Sequence, residues 1–196
     1  MPLGTQADVV KAAIAGQVVG FPTDTVPALA VRPEQSGLIY QLKQRELSKP
    51  LILMAATVDD LWPYLVAAPS EKQRWQAVMD RYWPGALTLV LPASAHLPPA
   101  INPTGDQTVG VRIPDQAIAL AILQKTGPLA TTSANLSGQP PLQRLTDIGQ
   151  IFPGVMVLNC TDEEKNGPIG NGYPSTVAQW QGTNFHILRQ GQITLS

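Results

Sequence analysis

Apolar positions along the chain recur with two spacings, one helical and one alternating, and they take turns. Residues 7–15 put Val9, Val10, Ala13 and Ile14 on one face, with Thr5 placed to cap the first turn and Gly16 to stop the last. A short β-rich run at 17–21 follows and ends at Pro22, which leaves Thr23-Asp24-Thr25 as a polar loop at a strand's carboxyl end. Helical periods return over 34–45, 58–64, 70–82, 116–124 and 146–152. Between them lie strand-like runs at 51–55, 87–91, 108–113, 129–132, 155–160, 175–179 and 185–189. Such alternation predicts an α/β fold, a twisted mixed sheet with flanking helices. The stretches 92–107 and 161–174, rich in Pro, Gly and Asn, read as surface loops, and no internal repeat appears.

Composition narrows the function classes. With 196 residues, 44% apolar and 14% charged, the chain has enough to build one core, so a single domain over 1–196 is expected. Thirteen basic residues against 14 acidic ones give a net charge of −1, which removes global charge as an argument for nucleic-acid or membrane binding and leaves only local patches. The amino terminus has no secretory pattern and no run approaches ~18 apolar residues, so a cytoplasmic protein without membrane contact is expected. Cys160, the lone cysteine, lies in the apolar run 155–160 and reads as a core thiol. His96 and His186 stand far apart, which leaves zinc sites and Ser-His-Asp chemistry short of parts. His186 reads as structural and 162–165 as a solvated acidic loop. Trp75, Tyr82 and Trp83, at helical spacing, read as packing residues rather than an adenine slot.

Ligands on α/β sheets gather beyond the carboxyl ends of strands, so polar residues just after apolar runs carry the chemistry. Four places qualify. Thr23-Asp24-Thr25 offers hydroxyls and a carboxylate, either for a ligand or for a self-bonded turn. Lys43, Arg45 and Lys49 gather three cations before the run at 51–55, suited to phosphate oxygens or to a solvated helix end. Thr108 and Arg112 share one face of a strand whose other face is Val109, Val111 and Ile113, so Arg112 needs an anion, from a ligand or from an internal Asp or Glu. Thr132-Ser133-Ala134-Asn135 follows an apolar strand with short side chains that let backbone N–H groups approach a ligand. No Walker or dinucleotide glycine fingerprint is present.

In this order these segments resemble the YrdC/YciO family over nearly the whole chain, in a compact single-domain form. The resemblance rests on Pro22-Thr23-Asp24-Thr25, Lys43-x-Arg45 with Lys49-Pro50-Leu51, Tyr82-Trp83-Pro84-Gly85-Ala86-Leu87-Thr88, Val109 to Pro114, Thr132 to Gly138, Ser175-Thr176-Val177 and Leu188-Arg189-Gln190-Gly191. It implies a positively charged concave face on which a threonylcarbamoyl-AMP synthase joins L-threonine, bicarbonate and ATP, with Mg2+ expected alongside the nucleotide and no metal ligand assigned. Pyrophosphate leaves, and the activated group goes, through threonylcarbamoyl-transfer proteins, to adenosine at tRNA position 37. Carried over by residue, the threonine site is Thr25, Arg112, Ser133 and Ser175. The nucleotide site is Lys43, Arg45, Lys49, Thr108, Asn135 and Arg189, with Lys43, Arg45, Ser133 and Asn135 as the catalytic set.

Two positions depart from the family pattern. Pro27-Ala28-Leu29 stands where Tyr-Gly-Leu is usual, and Met54 where longer relatives have a histidine. These changes keep open a paralogue with a different small ligand. The other alternative is a non-catalytic module for tRNA or double-stranded RNA, or for ribosome maturation, using the same concavity. The resemblance also implies that any lid comes from the chain's own loops.

Overall fold

The computed structural model describes residues 3–159 and 169–195. Its first helix, α1 (Gln6–Ile14), starts at a capping box: the Asp8 carboxylate accepts from the Thr5 N–H at 2.9 Å, and the Asp8 N–H donates to the Thr5 hydroxyl at 3.3 Å. A two-residue strand, β1 (Leu3–Gly4), precedes it, and β2 (Val19–Phe21) and β3 (Ala28–Val31) follow. Next come α2 (Gly37–Lys43), β4 (Ile52–Met54), α3 (Pro69–Tyr82), β5 (Leu87–Pro92) and β6 (Thr108–Arg112). The remaining elements are α4 (Ala117–Thr126), β7 (Leu129–Ser133), α5 (Leu145–Ile151), β8 (Met156–Leu158), β9 (Thr176–Trp180) and β10 (Phe185–Arg189). All ten strands form one mixed sheet in the order β1-β8-β2-β3-β7-β4-β6-β5-β9-β10. No helix among the described residues is long and apolar enough to cross a membrane.

The elements differ from the sequence pattern in three places, each with a local cause. The helix expected over 34–45 is split. Pro33–Gln35 forms a 3-10 turn, the Ser36 hydroxyl donates to the Pro33 carbonyl at 2.6 Å, and α2 begins only at Gly37 and ends at Gln44, whose φ is 50°. The helix expected over 58–64 starts correctly, with the Thr57 N–H on the Asp60 carboxylate at 3.1 Å. It is cut to a single 3-10 turn at Trp62–Tyr64 by Pro63, which has no N–H to continue it. Strand β3 carries no strong signal because Ala28, Leu29 and Ala30 have modest β-propensity. It is nonetheless buried throughout, clasped between β2 and β7. Cys160 and the acidic residues 162–165 lie outside the described residues.

Two helical layers cover the sheet unequally, and that inequality makes the site. On one face, α2 and α3 bury Ile39, Tyr40, Trp75 and Met79 against Val31, Leu53, Leu89, Val109, Val111 and Ala178. Trp75 packs edge-on against Trp180, ring centroids 6.0 Å apart, so it is core, as the helical spacing predicts. On the opposite face, α1, α4 and α5 pack over Val19, Phe21, Ala28, Ala30 and Val157, and no residue of β5, β6 or β9 joins that cluster. Over those strands the face stays open. In β9, Thr176, Ala178 and Trp180 are buried while Val177 and Gln179 are half-exposed, as alternation requires of a sheet covered on one side.

Register sets what stands in the trough. One row runs across the sheet through Ala30, Thr131, Ile52, Gly110, Val90 and Gln179. A side chain at Gly110 would place its Cβ 2.9 Å from Ile52 Cγ2 and 3.4 Å from Thr88 Cγ2. Gly110→Val is therefore expected to overpack this row and cost roughly 1–3 kcal/mol. A lower urea midpoint checks it; an unchanged midpoint would mean that the row relaxes.

Candidate active site

At one end of the trough, loops from four parts of the chain close a cavity of about 270 Å³. Thr23, Thr25, Val26, Pro27 and Ala28 come from the β2–β3 connection, and Arg45 and Pro50 from the turn after α2. Strand ends contribute the floor: Met54 and Arg112 are register partners on β4 and β6, Thr88 and Val177 on β5 and β9, and Ala28 and Ser133 on β3 and β7. Ser175 and Arg189 complete the rim.

Arg112 is the best-held charge. It is 3% exposed, and its Nη2 donates to Asp24 Oδ1 at 2.6 Å, its Nη1 to the Thr25 hydroxyl at 2.9 Å and its Nε to the Gly85 carbonyl at 3.0 Å. A guanidinium has five N–H groups, so two remain for the cavity. Burial pulls the Arg112 pKa down and Asp24 opposes the shift, so the internal carboxylate keeps the cation affordable in the core. Asp24 is held in turn: its carbonyl accepts from Asn171 N–H at 3.1 Å and that of Thr25 from Gly172 N–H at 3.0 Å. Gly170, at φ +64°, lies so close that a Cβ would be 2.5 Å from the Thr25 carbonyl. Only glycine suits that position.

Arg189 donates to the Ser175 carbonyl from Nε at 3.1 Å and from Nη2 at 2.9 Å. Burial and the charge of Arg112 both lower its pKa, so an anion set between the two arginines would relieve their repulsion. Arg45 donates from Nε to the Lys49 carbonyl at 2.7 Å and from Nη2 to the Pro50 carbonyl at 3.0 Å, and burial lowers its pKa as well. No Asp or Glu lines the cavity beside these three cations.

Hydroxyl polarity in the cavity follows from counting hydrogens. Thr23 spends its single hydrogen on the Val26 carbonyl at 2.7 Å, so the 3.0 Å contact between Thr23 and Thr25 is donated by Thr25. Thr25 thus accepts from Arg112 and shows the cavity only a lone pair. Ser133 donates to Asn135 Oδ1 at 2.5 Å, and the Asn135 amide is oriented by donating to the Leu136 and Gln139 carbonyls at 2.8 and 2.6 Å. Ser133 too faces the cavity as an acceptor.

Of the residues singled out in the sequence, Thr25, Arg45, Arg112, Ser133, Ser175 and Arg189 line the cavity. Lys43 and Asn135 sit behind it. Lys43 is 1% exposed, and its ammonium group donates to the Ser133 carbonyl and to Asn135 Oδ1, the latter at 3.4 Å. Burial, reinforced by the nearby charge of Arg45, lowers the Lys43 pKa to about 7. Lys49 is exposed and paired with Glu46 at 3.0 Å, and Thr108 stands at the far end of β6 from Arg112; neither lines the cavity. Thr23 and Thr88 line it without having been picked out as ligand residues. Thr88 was legible: alternation puts it opposite Leu87, Leu89 and Leu91, and it ends the Tyr82–Thr88 motif.

Pro27 replaces an aromatic side chain but keeps a structural task, since its carbonyl accepts from Ala134 N–H at 2.8 Å and ties the Thr25 loop to the Asn135 loop. Among the described residues no group of three or more His, Cys, Asp or Glu side chains converges to hold a metal, and Asp24 is committed to Arg112. The residues present do not fit a resident magnesium ion. One that came with a nucleotide would be carried on the phosphates as part of the substrate.

Residues 11–191 match the Sua5/YciO/YrdC family model, described as telomere recombination. The chain belongs to the Sua5/YciO/YrdC family. Within it, the chain is 36% identical over 185 residues to a Bacillus subtilis threonylcarbamoyl-AMP synthase, covering 91% of this chain and 51% of the relative. A Vibrio campbellii threonylcarbamoyl-AMP synthase is 32% identical over 190 residues, 93% of this chain and 97% of the relative. Among solved structures, P. abyssi Sua5 complexed with L-threonine superposes with a TM-score of 0.85 at 29% identity, over 97% of this chain and 57% of that one. The chain thus spans about half the length of the Bacillus protein and of Sua5. The Sua5/YciO/YrdC fold accounts for the mixed sheet and its uncovered trough.

Proposed function

We propose that this chain is a threonylcarbamoyl-AMP synthase, with the cavity as its active site. The observation that carries the reading is the sorted polarity of the cavity: arginines on one side, and on the other the hydroxyls of Thr25 and Ser133, whose hydrogens are already spent. An amino acid needs that sorting, with an anion receiver for its carboxylate and acceptors for its amino group. The likeness to Sua5 holding L-threonine supports threonine as that amino acid.

In this reading the threonine carboxylate takes the two free N–H groups of Arg112, and its amine meets the lone pairs of Thr25 and Ser133. The amine condenses with bicarbonate, losing water, to give a carbamate. A carbamate oxygen then attacks the α-phosphorus of ATP, the bond to the β-phosphate oxygen breaks, and pyrophosphate leaves. Arg45 and Arg189 face the cavity as cations for the phosphates, and the work of the protein is positioning and charge neutralisation rather than proton transfer. The adenylate then passes, through transfer proteins in the cytoplasm, to tRNA position 37.

The test is direct. Purified protein with L-threonine, bicarbonate, magnesium and ATP is expected to release pyrophosphate, and Arg45→Ala to lower that rate by about 100-fold. No threonine-dependent release above a blank overturns the enzymatic reading.

A further inference from the structure

One hydroxyl pair in the cavity has a hydrogen left over. Thr88 Oγ1 and Ser175 Oγ lie 2.8 Å apart, buried at 1% and 5% exposure. Two hydroxyls carry two hydrogens, and their mutual contact uses one. The other neighbour of the pair is Arg189 Nη2, 3.4 Å from Ser175 Oγ, which is itself a donor. Among the described residues no acceptor meets the second hydrogen. If Thr88 donates, Ser175 holds the spare O–H; if Ser175 donates, Thr88 holds it. Either way the pair turns one donor toward the cavity that both residues line.

A buried donor without an acceptor is costly, so the site is built for a ligand atom that accepts. Its surroundings say which kind. Arg112 and Arg189 flank the pair and Thr25 and Ser133 offer only lone pairs, so the atom that meets the spare hydrogen belongs to the anionic end of the ligand. Backbone packing holds the pair in place. Thr88 is the register partner of Val177. A Cβ on Gly191 would lie 2.6 Å from the Pro174 carbonyl and 2.8 Å from the Ser175 carbonyl carbon, so the turn after β10 presses on the segment that carries Ser175.

We propose that Thr88 is a substrate-positioning residue whose hydroxyl, paired with that of Ser175, aims one O–H at the amino-acid carboxylate received by Arg112. This inference rests on the reading of the cavity as an amino-acid site. It makes carboxylate recognition a joint task of a cation and a neutral relay, in which the relay fixes the angle of the carboxylate and so the direction in which the amine points toward Thr25 and Ser133.

The test compares wild type, Thr88→Val and Thr88→Ser by calorimetric titration with L-threonine and separately with ATP, alongside thermal midpoints and steady-state kinetics. Thr88→Val preserves shape and removes the hydroxyl. It is expected to weaken L-threonine binding about tenfold and to raise KM for threonine by a similar factor. ATP affinity stays within about twofold, and Thr88→Ser recovers threonine affinity to within about threefold of wild type. A merely structural role would shift the midpoint and both ligands together. Thr88→Val binding threonine as wild type does, Thr88→Ser failing to recover, or a loss confined to ATP each overturns the inference while wild-type binding stands. A wild type that binds no L-threonine fails the reading of the site itself, and the inference falls with it.

Discussion

Replacing Arg112 by methionine is expected to remove pyrophosphate release almost entirely and to destabilise the fold, and the two losses have different causes. Arg112 sits at the end of β6 with its side chain 4% exposed, opposite an Asp24 side chain that is 14% exposed. Taking away the cation leaves the Asp24 carboxylate without its 2.6 Å partner in a poorly solvated place, a change that typically costs about 3–5 kcal/mol. It also removes the two N–H groups that would receive the substrate carboxylate, and losing such an electrostatic contact lowers turnover by roughly 10²–10³-fold. Adding Asp24→Asn separates the effects. The double variant no longer buries an unpaired charge and is expected to regain part of the urea stability, while pyrophosphate release stays absent. Release near the wild-type rate in Arg112→Met would sink the assignment of this arginine, and an unchanged urea midpoint would show that the ion pair carries no weight in the fold.

The second large effect is a pH dependence of stability that belongs to Lys43. Its folded-state pKa is about 7, lowered by burial and by Arg45, whereas an unfolded lysine titrates near 10.4. Between those values the unfolded chain binds a proton at this side chain that the folded chain does not, so stability rises with pH across the window and falls as pH drops toward 7. The slope is on the order of 1 kcal/mol per pH unit. A neutral amine still carries two hydrogens, enough for the Ser133 carbonyl and Asn135 Oδ1, so the contacts survive deprotonation. Urea unfolding of wild type and Lys43→Met at pH 7.5 and 9.5 checks this. The wild type is expected to gain about 2 kcal/mol relative to the variant at the higher pH. Groups common to both proteins cancel in the difference, and equal gains would show that the folded and unfolded lysine titrate alike.

Both effects involve residues that the sequence marks by type but not by role. Arg112 is conspicuous because a strand whose other face is Val109, Val111 and Ile113 has no place for a free cation. Whether its partner is internal or a ligand was left open, and the structure answers with both: three N–H groups bond Asp24, Thr25 and Gly85 and two remain. Lys43 and Arg45 look equivalent in Lys43-x-Arg45, yet two residues apart on a helix end that closes through a left-handed Gln44 they diverge. One turns under the 133–139 loop, the other toward the cavity. Tyr82 and Trp83 stay out of the cavity as their spacing predicts.

The chain by itself determined the alternation of helix and strand, the capping of α1, the identity of the core faces and the types of group available for chemistry, because each depends on neighbours within a few positions. Only the tertiary structure decided that α1, α4 and α5 stop short of β5, β6 and β9, that Thr88 and Ser175 come within 2.8 Å, and which hydroxyls keep a hydrogen to give. Those outcomes depend on strand order and register across 87 residues of sequence separation. A hydroxyl's single hydrogen goes to whichever acceptor the fold brings near, and no local pattern names that acceptor.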